Sequence, residues 1–378
     1  MSELPASGLQ LQSLVTSDGQ LQLSLEEIEV RPLKPDQVLL QVDASPINPS
    51  DLGMLLGMAD LSTAKQGGTN ERPTVTADIP SGLVKHLAGR FDQAMPVGNE
   101  GGGVVIAAGE SDEAQALVGK TVGALGGGMY GQYRTVKYHQ CLPMNEGVTP
   151  TEAAACFVNP LTALGMVETM RLEGYTGLLH TAAASNLGQM LQKICTNEGV
   201  PLVNVVRKQE QVEIMKGIGA EHVCNSSDDD FSAQLKGAIA AAGAYIAFDA
   251  TGGGELANQI LASMEQAAIA TASEYSRYGS DQHKQVYIYG GLDTSPTVLR
   301  RSYGMSWGIG GWLLTPFLQK VGRERDAELR QKVADEIKTT FASHYTAEVS
   351  LAGALQVDTL IDYEKKETGK KYLVKPND

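Results

Sequence analysis

Positive charge is scarce in this sequence. Thirty lysines and arginines face 44 aspartates and glutamates, a formal net charge of −14. Such a chain lacks the basic stripe that a phosphate backbone requires, so no nucleic-acid partner is expected. No apolar run reaches the roughly 18 residues that would suggest a membrane span, so no membrane partner is expected either. The four cysteines, Cys141, Cys156, Cys195 and Cys224, are widely spaced and form no C-x-x-C pair, which argues against a disulfide framework. The opening MSELPASGLQ lacks a charged n-region and an apolar h-region. A secretory signal is therefore not expected, and a reducing cytoplasm is the expected location.

What is present is the composition of a soluble globular α/β protein, 42% apolar and 20% charged, with 42 glycines for turns. At 378 residues the chain can bury two cores. Up to about residue 150 it carries short alternating runs such as LQLSLEEIEV, QVLLQVDASPI and GGGVVIAAGE, the pattern of a small, mostly antiparallel β-domain. From about 151 apolar strands alternate with helices, which implies a parallel sheet. The strands are read at 178–184, 201–206, 222–225, 245–250, 286–290 and 307–314. Helices are read at 187–198, 208–218, 229–242, 254–269 and 325–342. The strand-like KKYLVKP near the end can return to the first domain. The expected division is residues 1–150 with 320–378, and 151–319. Segments 59–95 and 271–284 are polar and read as insertions, the first as a lid, a substrate channel or a surface elaboration.

The segment 178–207, LLHTAAASNLGQMLQKICTNEGVPLVNVVR, reads as strand, tight turn, helix and second strand. Small residues from Thr181 to Ser185 let the backbone turn closely, and Gly188 allows tight helix–strand packing. In a dinucleotide-binding unit the residue about 20 positions past the turn meets the adenosine ribose. Here it is Arg207, nineteen residues after Gly188. A guanidinium there grips a 2′-phosphate bidentately, where a carboxylate would bind the 2′-hydroxyl. The expected cofactor is thus NADPH, with Ser185, Asn186, Leu187 and Gly188 at the pyrophosphate and Arg207 and Lys208 at the 2′-phosphate. Tyr289 and Gly290, closing the fifth strand, are candidates for the carboxamide and ribose. An ordinary buried βαβ unit is the alternative.

The order of domains, with INPSDL at 47–52, PVGNEG at 96–101, NPLTA at 159–163, GIGAEHV at 217–223 and FDATGG at 248–253, resembles the medium-chain dehydrogenase/reductase superfamily over nearly the whole chain. The resemblance implies a Rossmann doubly wound parallel sheet plus a GroES-like, mostly antiparallel β-domain, with the active cleft between them. It adds Asn159, Thr162 and Thr251 to the expected cofactor contacts and places Asn48 in the active-site loop. Zinc-containing relatives place Cys and His where this chain has Asn48 and Asn99, and amides are poor zinc ligands beside thiolate and imidazole. The resemblance therefore points to the zinc-free quinone oxidoreductase branch, with no metal expected.

Without a Lewis acid, the reaction that needs least help is hydride addition to an already electron-poor acceptor. The reading is an NADPH-dependent oxidoreductase acting on a quinone, an enone or an enoyl compound. Asn48 is expected to hydrogen-bond the acceptor's oxygen, and Tyr130 is a candidate proton donor with core packing as its alternative. INPSDLGMLLG, VNPLTA and VNVVR also resemble mitochondrial enoyl thioester reductases, whose proton-donating Tyr is matched here by Ala59. An enoyl thioester reductase is one alternative, and a non-catalytic NADPH-binding sensor or structural protein another. The apolar WGIGGWLL at 307–314 suggests an edge strand paired in a homodimer.

Overall fold

A computed structural model describes residues 4–378. The chain folds as two compact units, one running to Val158 and resuming at Arg330, the other spanning Asn159–Leu329. Both boundaries fall later than the change of texture at 150 and 319, and packing explains the first. Helix Pro150–Ala153 lies so close to strand Glu100–Ala108 that a Cβ at Gly102 would come within 2.0 Å of the Pro150 carbonyl. Ala153 to Phe157 are then all buried. At the second boundary one helix, Leu314–Asp335, carries the chain across, broken at Gly322 (φ 83°, ψ 170°). It starts earlier and ends sooner than the charge-rich stretch 325–342 implied.

Among the described residues the first unit carries two sheets. One has the order Asp60–Gly68, Pro73–Asp78, Gln20–Glu29, Ser7–Val15, Met95–Pro96. Strict alternation from Gln20 to Leu25 turns Leu21, Leu23 and Leu25 inward. The first half of segment 59–95 is a hairpin that widens this sheet, with Val75 and Ala77 buried. The polar residues on its outer face had masked the period of two. The second sheet centres on Gln37–Pro46, paired antiparallel with Glu100–Ala108 and Tyr133–Lys137. The tail strand Tyr372–Lys375 joins the same strand antiparallel and runs parallel to Ala347–Ser350.

The second unit is a six-stranded parallel sheet in the order His222–Asn225, Leu202–Val206, Gly177–Thr181, Ala244–Asp249, Lys284–Ile288, Trp307–Gly311. That is the 3-2-1-4-5-6 order of the doubly wound dinucleotide fold. Every residue of Gly177–Thr181 and Leu202–Val206 is buried, as helices on both faces demand. The last strand ends at Gly311 rather than 314. Trp312 turns into the core, donating to Thr169 Oγ1 at 3.0 Å and meeting Phe248 edge-on.

Segment 271–284 is pinned by an ion pair. Lys284 Nζ donates to Glu265 Oε2 at 2.6 Å, to Ser280 Oγ at 3.0 Å and to the Gln282 carbonyl at 2.7 Å. Ser280 N–H closes on Glu265 Oε1 at 2.8 Å, and both charged side chains are buried. Removing one member strands the other in a low dielectric. Lys284→Ala is expected to cost about 3–5 kcal/mol in urea unfolding, and Lys284→Met with Glu265→Leu much less. Equal losses in both variants would mean that packing, not charge, holds the segment.

Candidate active site

Every strand of the parallel sheet ends at the same edge, and most of the expected cofactor residues follow those ends. After Gly177–Thr181 the chain passes through Ala182 in the left-handed region (φ 52°). Ser185 then caps helix Asn186–Glu198, its Oγ accepting the Gly188 amide at 3.1 Å. A Cβ on Gly188 would lie 2.1 Å from the Ala183 carbonyl, so only glycine permits this approach. The first-turn amides of such a helix have no acceptor one turn back and favour an anion. Arg207 and Lys208 follow strand Leu202–Val206, both exposed, and neither forms a salt bridge among the described residues. The Arg207 main chain is held at both ends, its N–H by Gln211 Oε1 at 2.9 Å and its carbonyl by Ser227 Oγ at 2.8 Å. Asn159, half-buried, and Thr162, buried, lie on helix Val158–Leu172.

Two residues outside the expected set organise this edge. Asp249, fully buried, accepts the Thr181 hydroxyl at 2.7 Å, the Thr251 amide at 2.9 Å and the Gly252 amide at 3.1 Å. Thr181 Oγ1 in turn accepts the Ala250 amide at 2.8 Å. The pair bridges the two strands at which the strand order reverses, the place where such sheets bind ligands. A carboxylate ending an otherwise apolar strand was the available signal. Gly290 cannot carry a Cβ either, which would meet the Ala250 carbonyl at 2.6 Å. Beside it, residues 288–291 and 311–313 with Pro316 line a concavity of about 510 Å³.

Tyr289 Oη lies 2.7 Å from His180 Nε2, with the rings stacked. Burial raises the Tyr289 hydroxyl far above the phenol range and pushes His180 down to about 3 from 6.5. An unfolded histidine protonates near 6.5 while the folded one stays neutral. The stability tied to His180 is therefore whole above pH 6.5 and is lost as pH falls from there toward 3. Between pH 6.5 and 5, His180→Gln is expected to lose about 2 kcal/mol less than the parent in urea unfolding. Parallel pH profiles would mean His180 is not buried neutral.

In the first unit, Asn48 stands at the start of helix Pro49–Leu56 and Pro49 opens it. Asp51 Oδ2 accepts the Asn48 amide at 2.7 Å and Oδ1 the Asn99 amide at 2.8 Å, lacing the two loops together. Burial raises Asp51 to about 7. The Asp51 N–H goes to the Asn48 main-chain carbonyl at 2.9 Å. Asn48 is only 1% exposed. Its Nδ2 donates to Glu100 Oε1 at 2.8 Å, while its Oδ1 is buried without a hydrogen-bond partner. One of the two Asn48 N–H groups is thus engaged by Glu100, leaving one for the expected hydrogen bond to an acceptor's oxygen. Tyr130 is corrected. It is packed in the core with its hydroxyl on the Pro46 carbonyl at 3.2 Å, and burial beside Asp51 raises it well above the phenol range. Lys371 was legible only as part of a strand. Its Nζ is buried without a hydrogen bond, faces Glu100 and Asp51, and is pushed down to about 8 by burial. Among the described residues no three His, Cys, Asp or Glu converge to hold a metal ion.

No family model matches the chain. A solved structure from Mesorhizobium loti, assigned as an NADPH:quinone reductase, superposes with a TM-score of 0.73 at 26% identity, covering 99% of this chain and 100% of that one. A mitochondrial enoyl-[acyl-carrier-protein] reductase of Caenorhabditis elegans is 30% identical over 216 residues, 55% of this chain and 54% of that protein. An NAD-dependent alcohol dehydrogenase of Saccharolobus solfataricus is 26% identical over 228 residues, 57% of this chain and 64% of that protein. The chain thus spans between half and two thirds of the length of these two relatives. With the strand order, these likenesses make the chain similar in fold and sequence to the medium-chain dehydrogenase/reductase superfamily.

Proposed function

We propose that the chain is an NADPH-dependent, zinc-independent oxidoreductase that reduces a quinone or another conjugated carbonyl compound. The observation that carries the cofactor half is the exposed Arg207–Lys208 pair at the end of strand Leu202–Val206, beside the turn that only Gly188 permits. The residues fit a nicotinamide dinucleotide. Two backbone cradles, at Gly188 and Gly290, leave no room for a Cβ, a helix N-terminus suits a pyrophosphate, and a free guanidinium suits a 2′-phosphate. Ser185 to Gly188 would hold the pyrophosphate, Arg207 and Lys208 the 2′-phosphate, and Thr251, Tyr289 and Gly290 the nicotinamide half. Bound NADPH supplies the hydride. The protein's part is to orient, to exclude water and to fix polar atoms at the reacting centre. The likeness to the Mesorhizobium loti protein supports a quinone as acceptor.

An enoyl thioester is the second reading, favoured by the Caenorhabditis elegans relative. Against it stands Ala59 where that subfamily's proton-donating Tyr would be. NADPH oxidation assayed with quinones, enals and enoyl thioesters separates the readings. Strong NADPH binding with no turnover on any of them would favour a non-catalytic sensor and sink both.

Charge-assisted hydrogen bonds to phosphate are worth about 1.5–3 kcal/mol. Arg207→Ala is therefore expected to weaken NADPH binding by roughly 10- to 150-fold in calorimetry and to leave NADH nearly unchanged. Equal losses for both cofactors would make Arg207 a structural residue. We also propose a homodimer through strand Trp307–Gly311, which ends the sheet with one edge unpaired and is followed by exposed Leu313. Light scattering at micromolar concentration should give twice the chain mass, and a monomer rules the dimer out.

A further inference from the structure

Asp249 ends strand Ala244–Asp249 with a carboxyl group in a fully buried position. A carboxylate there is costly unless donors surround it. Among the described residues no cation pairs with it, and its partners are the Thr181 hydroxyl and the Thr251 and Gly252 amides. A carboxylate has no proton of its own, so it can take all three donors at once. The result is a turn at 250–252 that is held from beneath.

That turn lies against a second stretch of main chain with no side chain between them. Tyr289 N–H donates to the Asp249 carbonyl at 3.0 Å, and Leu292 N–H to the Ala250 carbonyl at 3.1 Å. A Cβ on Gly290 would meet the Ala250 carbonyl at 2.6 Å, and one on Gly252 (φ 80°) the Gly290 carbonyl at 2.8 Å. Residues 289–292 are thus anchored at both ends to 249 and 250, and their position follows that of the turn. Tyr289, Gly290 and Gly291 line the concavity of about 510 Å³. Neither the Gly290 nor the Gly291 N–H makes a hydrogen bond among the described residues. All of these groups lie within the one unit Asn159–Leu329.

We propose that Asp249, held by Thr181, is a positioning residue that fixes residues 289–292 as a rigid wall for the nicotinamide half of the cofactor. This deepens the functional reading and rests on its placement of that half at Thr251, Tyr289 and Gly290. Main-chain atoms cannot re-aim by changing rotamer, so they orient a ring only if their own turn is fixed. Thr181 serves the turn twice, since its oxygen also accepts the Ala250 amide at 2.8 Å. Asp249 acts through the main chain.

Thr181→Val removes the hydroxyl with little change of shape, taking one donor from Asp249 and the acceptor from the Ala250 amide. Asp249→Asn sets an NH₂ against a donor that needs an acceptor. Thr181→Ser keeps the hydroxyl and is the rescue. Calorimetry compares NADPH with adenosine 2′,5′-bisphosphate, which carries the 2′-phosphate and the adenosine ribose but no nicotinamide. T181V and D249N should each weaken NADPH roughly 10-fold, the fall expected when the bound geometry drops to about a tenth of the population. All variants should bind adenosine 2′,5′-bisphosphate as the parent does, and T181S should match the parent on both ligands. T181V keeps the carboxylate and decides the matter alone if D249N fails to fold.

Equal losses on both ligands would make the pair a support of the whole sheet edge and overturn the proposal. Parent affinity for NADPH would overturn it as well, and amide hydrogen exchange without ligand tells which half failed. T181V should speed exchange at Ala250, Thr251, Gly252 and Leu292 and spare the amides of Leu202–Val206. If those four exchange as in the parent, the turn does not depend on Thr181 and the positioning is wrong. If they exchange faster while NADPH binding is unchanged, the fixed turn stands and the placement of the nicotinamide half there fails. A parent that binds neither ligand sinks the cofactor reading, and the proposal with it.

Discussion

A parallel sheet buried on both faces can do polar chemistry only at its ends. The second unit meets that constraint with one interaction, the Thr181–Asp249 bridge across the point where strand order reverses. With no room above or below, side chains along Gly177–Thr181 and Leu202–Val206 must be apolar or internally paired. Asn204 is paired through its NH₂, which donates to Gln192 Oε1 at 2.7 Å, while its Oδ1 is buried without a hydrogen bond. Asp249 then converts a strand end into a platform. By taking the amides of Thr251 and Gly252 it fixes the turn whose Ala250 carbonyl forbids a Cβ at Gly290. The two glycine cradles are thus not independent features. One hangs on the helix cap at Ser185, the other on a carboxylate that the adjoining strand's threonine holds in place.

The first unit solves a different problem, that of buried carboxylates in a β-fold. Asp51 and Glu100 are each met mainly by main-chain N–H groups. Amides are fixed by the fold, so the carboxylates are rigid. Such rigidity lets a carboxylate held by the main chain fix the Asn48 amide, whose Nδ2 donates to it. Lys371, arriving on the last strand of the chain, adds a counter-charge without a direct hydrogen bond. The tail is thereby tied to the loop at Asn48 by electrostatics as well as by the pairing of Val374 with Ser45.

Much of this was legible in the sequence, for reasons that differ from residue to residue. The strands around 178–206 announced themselves because burial on both faces demands unbroken apolar runs. Gly188 was legible because close backbone approach admits one residue type, and Arg207 because its offset from that glycine is set by the length of the helix between. Segment 59–95 was not legible: a hairpin on a sheet edge keeps polar residues outward, and its inward positions are as few as Val75 and Ala77. The orientation of the Asn48 amide could not be read at all. It depends on Glu100, 52 positions away, whose own orientation depends on amides at 157 and 158. Tyr130 misled for a related reason. A tyrosine in a glycine-rich turn looks available, yet the glycine at 98 is there to let its ring pack, since a Cβ would come within 2.7 Å of it.

Two buried polar networks in this chain differ in how fully they are satisfied. Around Lys284 the ammonium has three acceptors and Glu265 has donors on both oxygens. Nothing is left over, and such a network can only hold loops together. Around Glu100 the count does not close: Asn48 Oδ1 and Lys371 Nζ are sealed from solvent without hydrogen bonds. An uncompensated acceptor and an uncompensated donor near one carboxylate destabilise the free protein by the desolvation of each. Replacing these groups with packed apolar side chains of similar volume would therefore stabilise the unit.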